Sequence, residues 1–376
     1  MKPSIIIFVI VIFSNIGLAK DKLSVKGRFQ LDAAFFDEDV TSMSNGTNVR
    51  RSSITLKGSM ADFLPDNNLA KWNYKASYDF SENEVSVKDL SVSYTAPDSP
   101  ILTIGHFKGP IGLENQMSSA GTFFMESALP AALLPGRAIG VGISKGSELG
   151  SYSLGYFGEE IDAKREEEDE GQGVIGRLTI VPYQNDSNNL LFHIGGSASW
   201  REIATGDNEF RYRTGPEIAI NDQRFLSTPK LENVDNVITR GLELGASWNK
   251  SVVLFEFLDA KVKRKDLDDL NFQGGHLSGS YILWGPTRYY SSKEGSFSSI
   301  SLGDRDRALE LTWRFSWLDL NSLEVEGGEE TNYGLGLNWH PNKLFRYSVN
   351  MILTRVDRYD IINQPNILGM RCQVIF

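Results

Sequence analysis

The sequence predicts an all-β protein, a transmembrane antiparallel β-barrel of about 16 strands with an inward-folded third outer loop. Three observations lead there. Apolar and polar residues alternate with period two along almost the whole chain after residue 20, as the two faces of a strand require. No stretch shows comparable helical periodicity. The sequence closes on "QPNILGMRCQVIF", where Leu368, Met370, Cys372, Val374 and Phe376 share one face and Gly369, Arg371 and Gln373 the other. A closing strand of this kind suits a barrel, because the last strand must pair with the first to leave no edge in the membrane.

Lys2 is followed by the apolar run "SIIIFVIVIF", then "SNIGLA" and the charged "KDK". This is the pattern of a secretory signal peptide over residues 1–19, cleaved after Ala19, leaving one barrel domain over 20–376. The apolar core is too short to span a bilayer as an anchor. Cys372 is the single cysteine, so no internal disulfide forms. The formal charge of −10 becomes −11 without Lys2. An acidic chain excludes a general nucleic-acid partner. It still accommodates a local basic channel, since selectivity depends on where charges sit.

The elements follow in order. In the first strand, near 23–36, Leu23, Val25, Phe29, Leu31, Ala33 and Phe35 oppose Lys26, Arg28, Gln30 and Asp32. The next lie near 50–60, 71–80, 85–95 and 101–107; in 71–80, Trp72, Tyr74, Ala76, Tyr78 and Phe80 oppose Lys71, Asn73, Lys75, Ser77 and Asp79. Strands are then expected near 138–145, 151–158, 173–181, 190–200, 237–248, 251–262 and 271–284. The last four fall near 307–318, 331–340, 344–355 and 367–376. In the first of these, Leu309, Leu311, Trp313, Phe315 and Trp317 should face lipid, and Glu310, Thr312, Arg314 and Ser316 the lumen. A further candidate, 210–214, would make the number odd, so 201–236 is taken as a long loop; bacterial single-chain barrels have even strand numbers.

A soluble β-sandwich also alternates. Aromatics near strand ends, as interfacial girdles need, and charges on the polar faces at mid-strand favour the barrel. Connections also alternate between short and long. The segments 37–49, 109–137, 159–172 and 201–236 fall on the long-loop side, and 248–251 and 340–343 on the short-turn side. The exception is 285–306, long but on the turn side, which inward folding would accommodate.

At "HFKGPIGLENQMSSAGTFFMESALPAALLPGRAIGVGIS" (106–144) the chain resembles the phosphate-selective porin O and P family. "VRRSSITLKGS" (49–59), "GRLTIVPY" (176–183), "GSYILWGPTRYY" (279–290) and "RALELTWRFSWLDLN" (307–321) extend the likeness from about residue 25 to the end. The resemblance implies a sixteen-stranded porin of the Gram-negative outer membrane, a homotrimer with outer-membrane lipid around it. Its solutes would be small anions such as phosphate or polyphosphate. It also implies that the third outer loop, 109–137, forms the constriction. The terminal aromatic, Phe376, resembles the signal by which such barrels engage their assembly machinery.

Pores select anions by lining a narrow zone with fixed cations. Arg51 shares a face with Ser53, Thr55 and Lys57, which places it in the lumen; Arg50 should point the other way or sit at an interface. Arg50 and Arg51 match the family's paired arginines. Lys75 and Arg177 have lumen parity, Lys108 opens the constriction loop and Arg137 closes it. Arg211 and Arg213 resemble a basic pair on an inward-reaching fifth loop. Asp89 and Glu243 share lumen parity and would repel anions or orient arginines. The family's constriction loop is expected to carry lysines. Here 109–136 has no Lys or Arg and carries Glu114 and Glu126. Those two acids opposite Arg51, Arg137 and Arg177 would give a transverse field and a weak to moderate anion preference.

No cofactor, metal or catalytic residue is expected. His106, His193, His276 and His340 lack metal-ligand spacing, and hydrolase and phosphate-loop motifs are missing. A barrel hydrolase would need a Ser–His pair within hydrogen-bond reach. The other alternative is a non-conducting barrel for adhesion or scaffolding, with the acidic run at 158–173 as its contact surface.

Overall fold

The computed structural model describes residues 23–60, 70–81, 85–163, 170–204, 210–220, 223–304 and 306–376. The expected signal peptide lies outside these residues, as does 164–169 of the acidic run. Sixteen antiparallel strands form the wall, each paired with its neighbour in sequence. They are β1 Leu23–Asp37, β2 Gly46–Ser59, β3 Lys71–Asp79, β4 Ser86–Thr95, β5 Ile101–Lys108, β6 Arg137–Ser147, β7 Gly150–Phe157 and β8 Gly173–Asn185. The wall continues with β9 Leu190–Glu202, β10 Val234–Trp248, β11 Ser251–Arg264, β12 Leu270–Trp284, β13 Ala308–Ser322, β14 Val325–His340, β15 Phe345–Arg358 and β16 Asn366–Ile375.

The barrel closes between β16 and β1, in register from Arg28 opposite Ile375 to Asp37 opposite Asn366. Phe376 and Gly27 exchange both backbone hydrogen bonds, at 2.7 and 3.1 Å. The Phe376 ring lies against Gly27, where a Cβ would sit 2.2 Å from its Cζ. The expected faces hold on β13: Leu311 is 42% exposed on the outer surface, while Thr312 and Glu310 are fully buried inside. The candidate at 210–214 contributes only Arg213–Thr214, which pairs with Leu226–Ser227 away from the wall.

Strand lengths divide the wall. β3 to β7 run 8 to 11 residues, near the minimum for a tilted spanning strand. β8 to β15 run 13 to 16.

Three connections fold into the lumen. The 109–136 loop holds one short helix, Leu113–Gln116, and a 3₁₀ turn, Leu129–Leu133. Its Met125, Leu129 and Leu133 pack with Ile218, Phe225, Leu226 and Leu231 of the fifth outer loop against Leu258, Phe272 and Leu318 of the wall. The turn-side connection 285–307 also folds inward, as a small hairpin pairing Tyr290–Ser291 with Ser296–Phe297. Phe297 then packs with Leu113, Phe123 and Phe124 beneath the constriction loop. The lumen is therefore filled with apolar packing on the β8–β16 side, and residues that are polar by alternation are covered there.

A charge facing lipid at mid-strand should cost roughly 2–4 kcal/mol and one at the interface about 0–1. We expect Leu311→Arg to lose stability in the first range, and Leu323→Arg, on the connection between β13 and β14, in the second. Urea unfolding in micelles measures both, and equal losses would overturn the register.

Candidate functional site

The loop backbone between Ala120 and Glu126 has carbonyls that no strand partner satisfies, and buried carbonyls need donors. Arginines of the wall, together with Arg288 of the turn-side connection, supply them. Arg288 gives Nη1 to the Gly121 and Ser298 carbonyls at 2.5 and 3.0 Å. Arg346 on β15 gives its guanidinium to the carbonyls of Ala120 at 3.0 Å and Thr122 at 2.7 Å. Arg314 on β13 donates to the Glu126 carbonyl at 3.0 Å, and Arg371 on β16 donates to that of Met125. Asn338 on β14 adds a bond to the Phe123 carbonyl at 2.9 Å, and Asn350 on β15 accepts from the Met125 amide at 2.8 Å. Two guanidiniums also stack on loop rings, Arg288 over Phe123 at 4.8 Å and Arg314 over Phe124 at 4.5 Å.

The loop's acids are consumed by the same wall. Glu114 is ion-paired with Arg314, which also binds Glu217 of the fifth loop at 3.2 Å. Glu126 takes Arg50 at 2.8 and 2.9 Å and Arg371 at 2.7 Å. Burial alone would raise the Glu126 carboxyl, but the Arg50 and Arg371 guanidiniums outweigh it and hold it at about 2, below its ordinary 4.5. Neither acid faces the opening, in contrast to the expected transverse arrangement.

Arg50 corrects the strand parity. Between β1 and β2, Gln30 pairs with Arg51 but Leu31 pairs with Val49, so Arg50 is an extra residue in a bulge. A bulge re-aims side chains and lets two consecutive residues reach one side. Both arginines are thereby turned inward.

The remaining opening runs down the short-stranded side. It is a cavity of about 890 Å³ lined by Lys57, Lys71, Lys75, Asp89, Phe107 and Lys108, with serines of β4. Asp89 holds Lys75 at 3.0 Å and Arg137 at 3.5 Å, so it orients cations rather than standing as a free acid. Lys108 donates to the Asn115 carbonyl at 2.6 Å and braces the loop base beside the cavity.

Arg177 has its expected lumen parity but does not reach the opening. It is buried against Glu243 at 2.7 Å, with its Nη2 on the Gly295 carbonyl at 2.6 Å, so it anchors the turn-side hairpin. Arg211 and Arg213 are exposed on the outer loop, either side of the buried Tyr212. The fifth loop does reach inward, but through Glu217, whose carboxylate binds the Leu129 amide at 3.0 Å and Ser316 at 2.5 Å. Arg288, Arg314, Arg346 and Arg371 are the residues missed as loop anchors; no local spacing in the sequence ties any of them to the loop.

Among the described residues one Ser–His contact is present: His276 Nδ1 lies 3.0 Å from Ser278 Oγ, and its Nε2 lies 3.5 Å from Glu256. All three are buried. Ser278 also accepts from Arg314 at 3.2 Å, and Glu256 accepts the Glu114 amide at 3.1 Å. The pair is sealed beneath the constriction loop, with no room for an ester.

Comparisons with known proteins agree with this geometry. The family model described as phosphate-selective porin O and P matches residues 23–376. An uncharacterized protein of Caulobacter vibrioides is 27% identical over 382 residues, covering 93% of this chain and 73% of that protein. An anion-selective porin from Comamonas acidovorans superposes with a TM-score of 0.58 at 12% identity, covering 94% of this chain and 99% of that one. The outer-membrane protein OmpT of Vibrio cholerae superposes as a loop L8 deletion mutant, TM-score 0.59, 10% identity, 94% and 99% coverage. Its trimer form gives 0.54 at 8% identity, again with 94% and 99% coverage. At these identities the structures speak for the fold.

Two outcomes follow from the loop anchors. Arg314→Met leaves Glu114 and Glu217 buried without their partner, which should cost about 3–5 kcal/mol; a loss under 1 in chemical denaturation would contradict the anchoring role. Glu126 is depressed on folding, so its contribution is complete above about pH 4.5 and is lost as pH falls towards about 2. Single-channel current of the natural protein should therefore stay quiet at pH 5 and grow noisy only on strong acidification. Glu126→Gln should be noisy throughout.

Proposed function

Since this chain belongs to the phosphate-selective porin O and P family, we propose that its opening along β2–β6 passes small anions by diffusion across the outer membrane. The observation that carries this reading is the separation of charge in the lumen. Glu114 and Glu217 are bound to Arg314 of the far wall, and Glu126 is held between Arg371 of that wall and Arg50 of β2. Lys57, Lys75 and Lys108 border the open side, and Arg137 joins them through Asp89. Arg51 stands above them, opposite Gln30.

At a surface-like effective dielectric of about 20, a charge some 4 Å from an ion contributes roughly 4 kcal/mol before desolvation. Asp89 offsets part of this for Lys75 and Arg137. The others keep their field, because the loop acids that would have opposed them are neutralised. The balance supports a moderate anion preference, with phosphate or polyphosphate among the solutes. The lack of Lys and Arg on 109–136 weakens any dehydrated phosphate cage, so transit rather than tight binding is the expected mode.

The channel reading is favoured over a scaffold by the cation-lined cavity inside the barrel, and over a hydrolase by the burial of the Ser278–His276 pair. The trimer form of OmpT supports a homotrimer here. Phe376, 70% exposed at the rim, is the residue we assign to the assembly machinery.

Planar-bilayer recording in a salt gradient tests the proposal. Stepwise conductance with an anion-directed reversal potential is expected. Arg51→Ala with Arg137→Ala should move that potential towards cations, and Lys57→Ala with Lys75→Ala should move it further. An unmoved potential in both would assign those cations to structure alone.

A further inference from the structure

The outer surface carries a trough at the turn-side rim where β12, β13 and β14 meet. Trp284 pairs across with Leu309, and Leu309 with Trp339. All three share the lipid-facing row, so a leucine lies between two indoles. Strands two apart are separated by about 9.5 Å, which leaves width for one acyl chain between the rings. Leu337, opposite Leu311 in the next row, continues the floor. The trough is shallow and open to the surroundings, with room for about 620 Å³, and Arg307 lines its lower end.

Backbone geometry builds this place. A register shift between Ile282 and Trp284 turns both Leu283 and Trp284 outward, 44% and 49% exposed. Gly285 follows at φ +106, its backbone so close to the Arg307 carbonyl that a Cβ would lie 2.6 Å away. Trp284 and Arg307 thus stand at the two roots of the inward hairpin.

Arg307 continues the outward parity of Leu309 and Leu311, about 7 Å below Leu309. It is exposed, and among the described residues its side chain has no ion pair or hydrogen bond. The nearby acids are engaged elsewhere: Asp306 accepts from the Gly303 amide at 2.8 Å and Asp304 from Lys343 at 2.5 Å. A cation at the interface below an apolar trough matches an amphiphile with its phosphate below its acyl chains, as in the periplasmic leaflet. Turns of such barrels face the periplasm, where the leaflet is glycerophospholipid.

We propose that this trough is a specific site for one glycerophospholipid of the periplasmic leaflet, its phosphate on Arg307 and an acyl chain between Trp284 and Trp339. The bound lipid would brace the roots of the hairpin that narrows the lumen. Native mass spectrometry of the full barrel in micelles tests this with phosphatidylglycerol, with diacylglycerol of the same chains, and with excess inorganic phosphate as competitor. One phosphatidylglycerol should remain on each protomer, diacylglycerol should not, and phosphate should not displace the lipid. Arg307→Gln should reduce retention roughly tenfold, the size of one charge-assisted hydrogen bond. Leu309→Trp, which fills the trough and leaves Arg307 in place, should do the same. Heat-dependent gel mobility confirms that both variants are folded. Equal retention in the variants, equal binding of diacylglycerol, or displacement by phosphate would each overturn the site.

Discussion

Everything in this lumen depends on guanidinium groups of the wall holding the constriction loop by its carbonyls. An irregular segment inside a barrel has few backbone partners of its own, and each buried carbonyl left bare costs free energy. A planar guanidinium offers five donors in a fixed fork, so one residue serves two or three carbonyls. Arg346 does so for Ala120 and Thr122 while also bonding Asn338. Burying these cations is costly unless acids accompany them. Glu310 on β13 accompanies Arg288, Glu114 and Glu217 accompany Arg314, and Asp32 and Glu126 accompany Arg371.

This explains the composition of the loop. It carries acids and no bases because its bases are supplied from the wall. The same exchange pairs each loop acid with a guanidinium, and the cations that line the open cavity come from β2, β3 and β5.

The wall was largely legible in the sequence. Alternation placed Leu309, Leu311 and Trp313 outside and Glu310, Thr312 and Arg314 inside, and the side of each connection followed from counting strands. Arg50 was not legible, because one extra residue in a bulge leaves the alternation on either side intact. The loop anchors were hidden for a different reason. Arg314 and Glu114 are 200 positions apart, and Arg371 and Glu126 are 245 apart. Contacts across a closed wall leave no spacing to detect. The inward hairpin announced itself only as a connection too long for its side, and the roles of Arg177 and Glu243 followed from where it lands.

The asymmetry of the lumen also partitions the gene. Lys57, Lys75, Asp89 and Lys108, which border the opening, come from one short run of sequence, β2 to β5, whereas the packing that fills the rest draws mainly on β8 to β16. Across the lumen, Arg50 on β2 joins the constriction loop through Glu126. A recombination joint placed between β5 and the constriction loop, after Lys108, would exchange the strands that line the cavity and leave the loop with the packed half that holds it. Permeation could then diverge among relatives by swapping or drift in a single N-terminal third, without a matching change in the remainder.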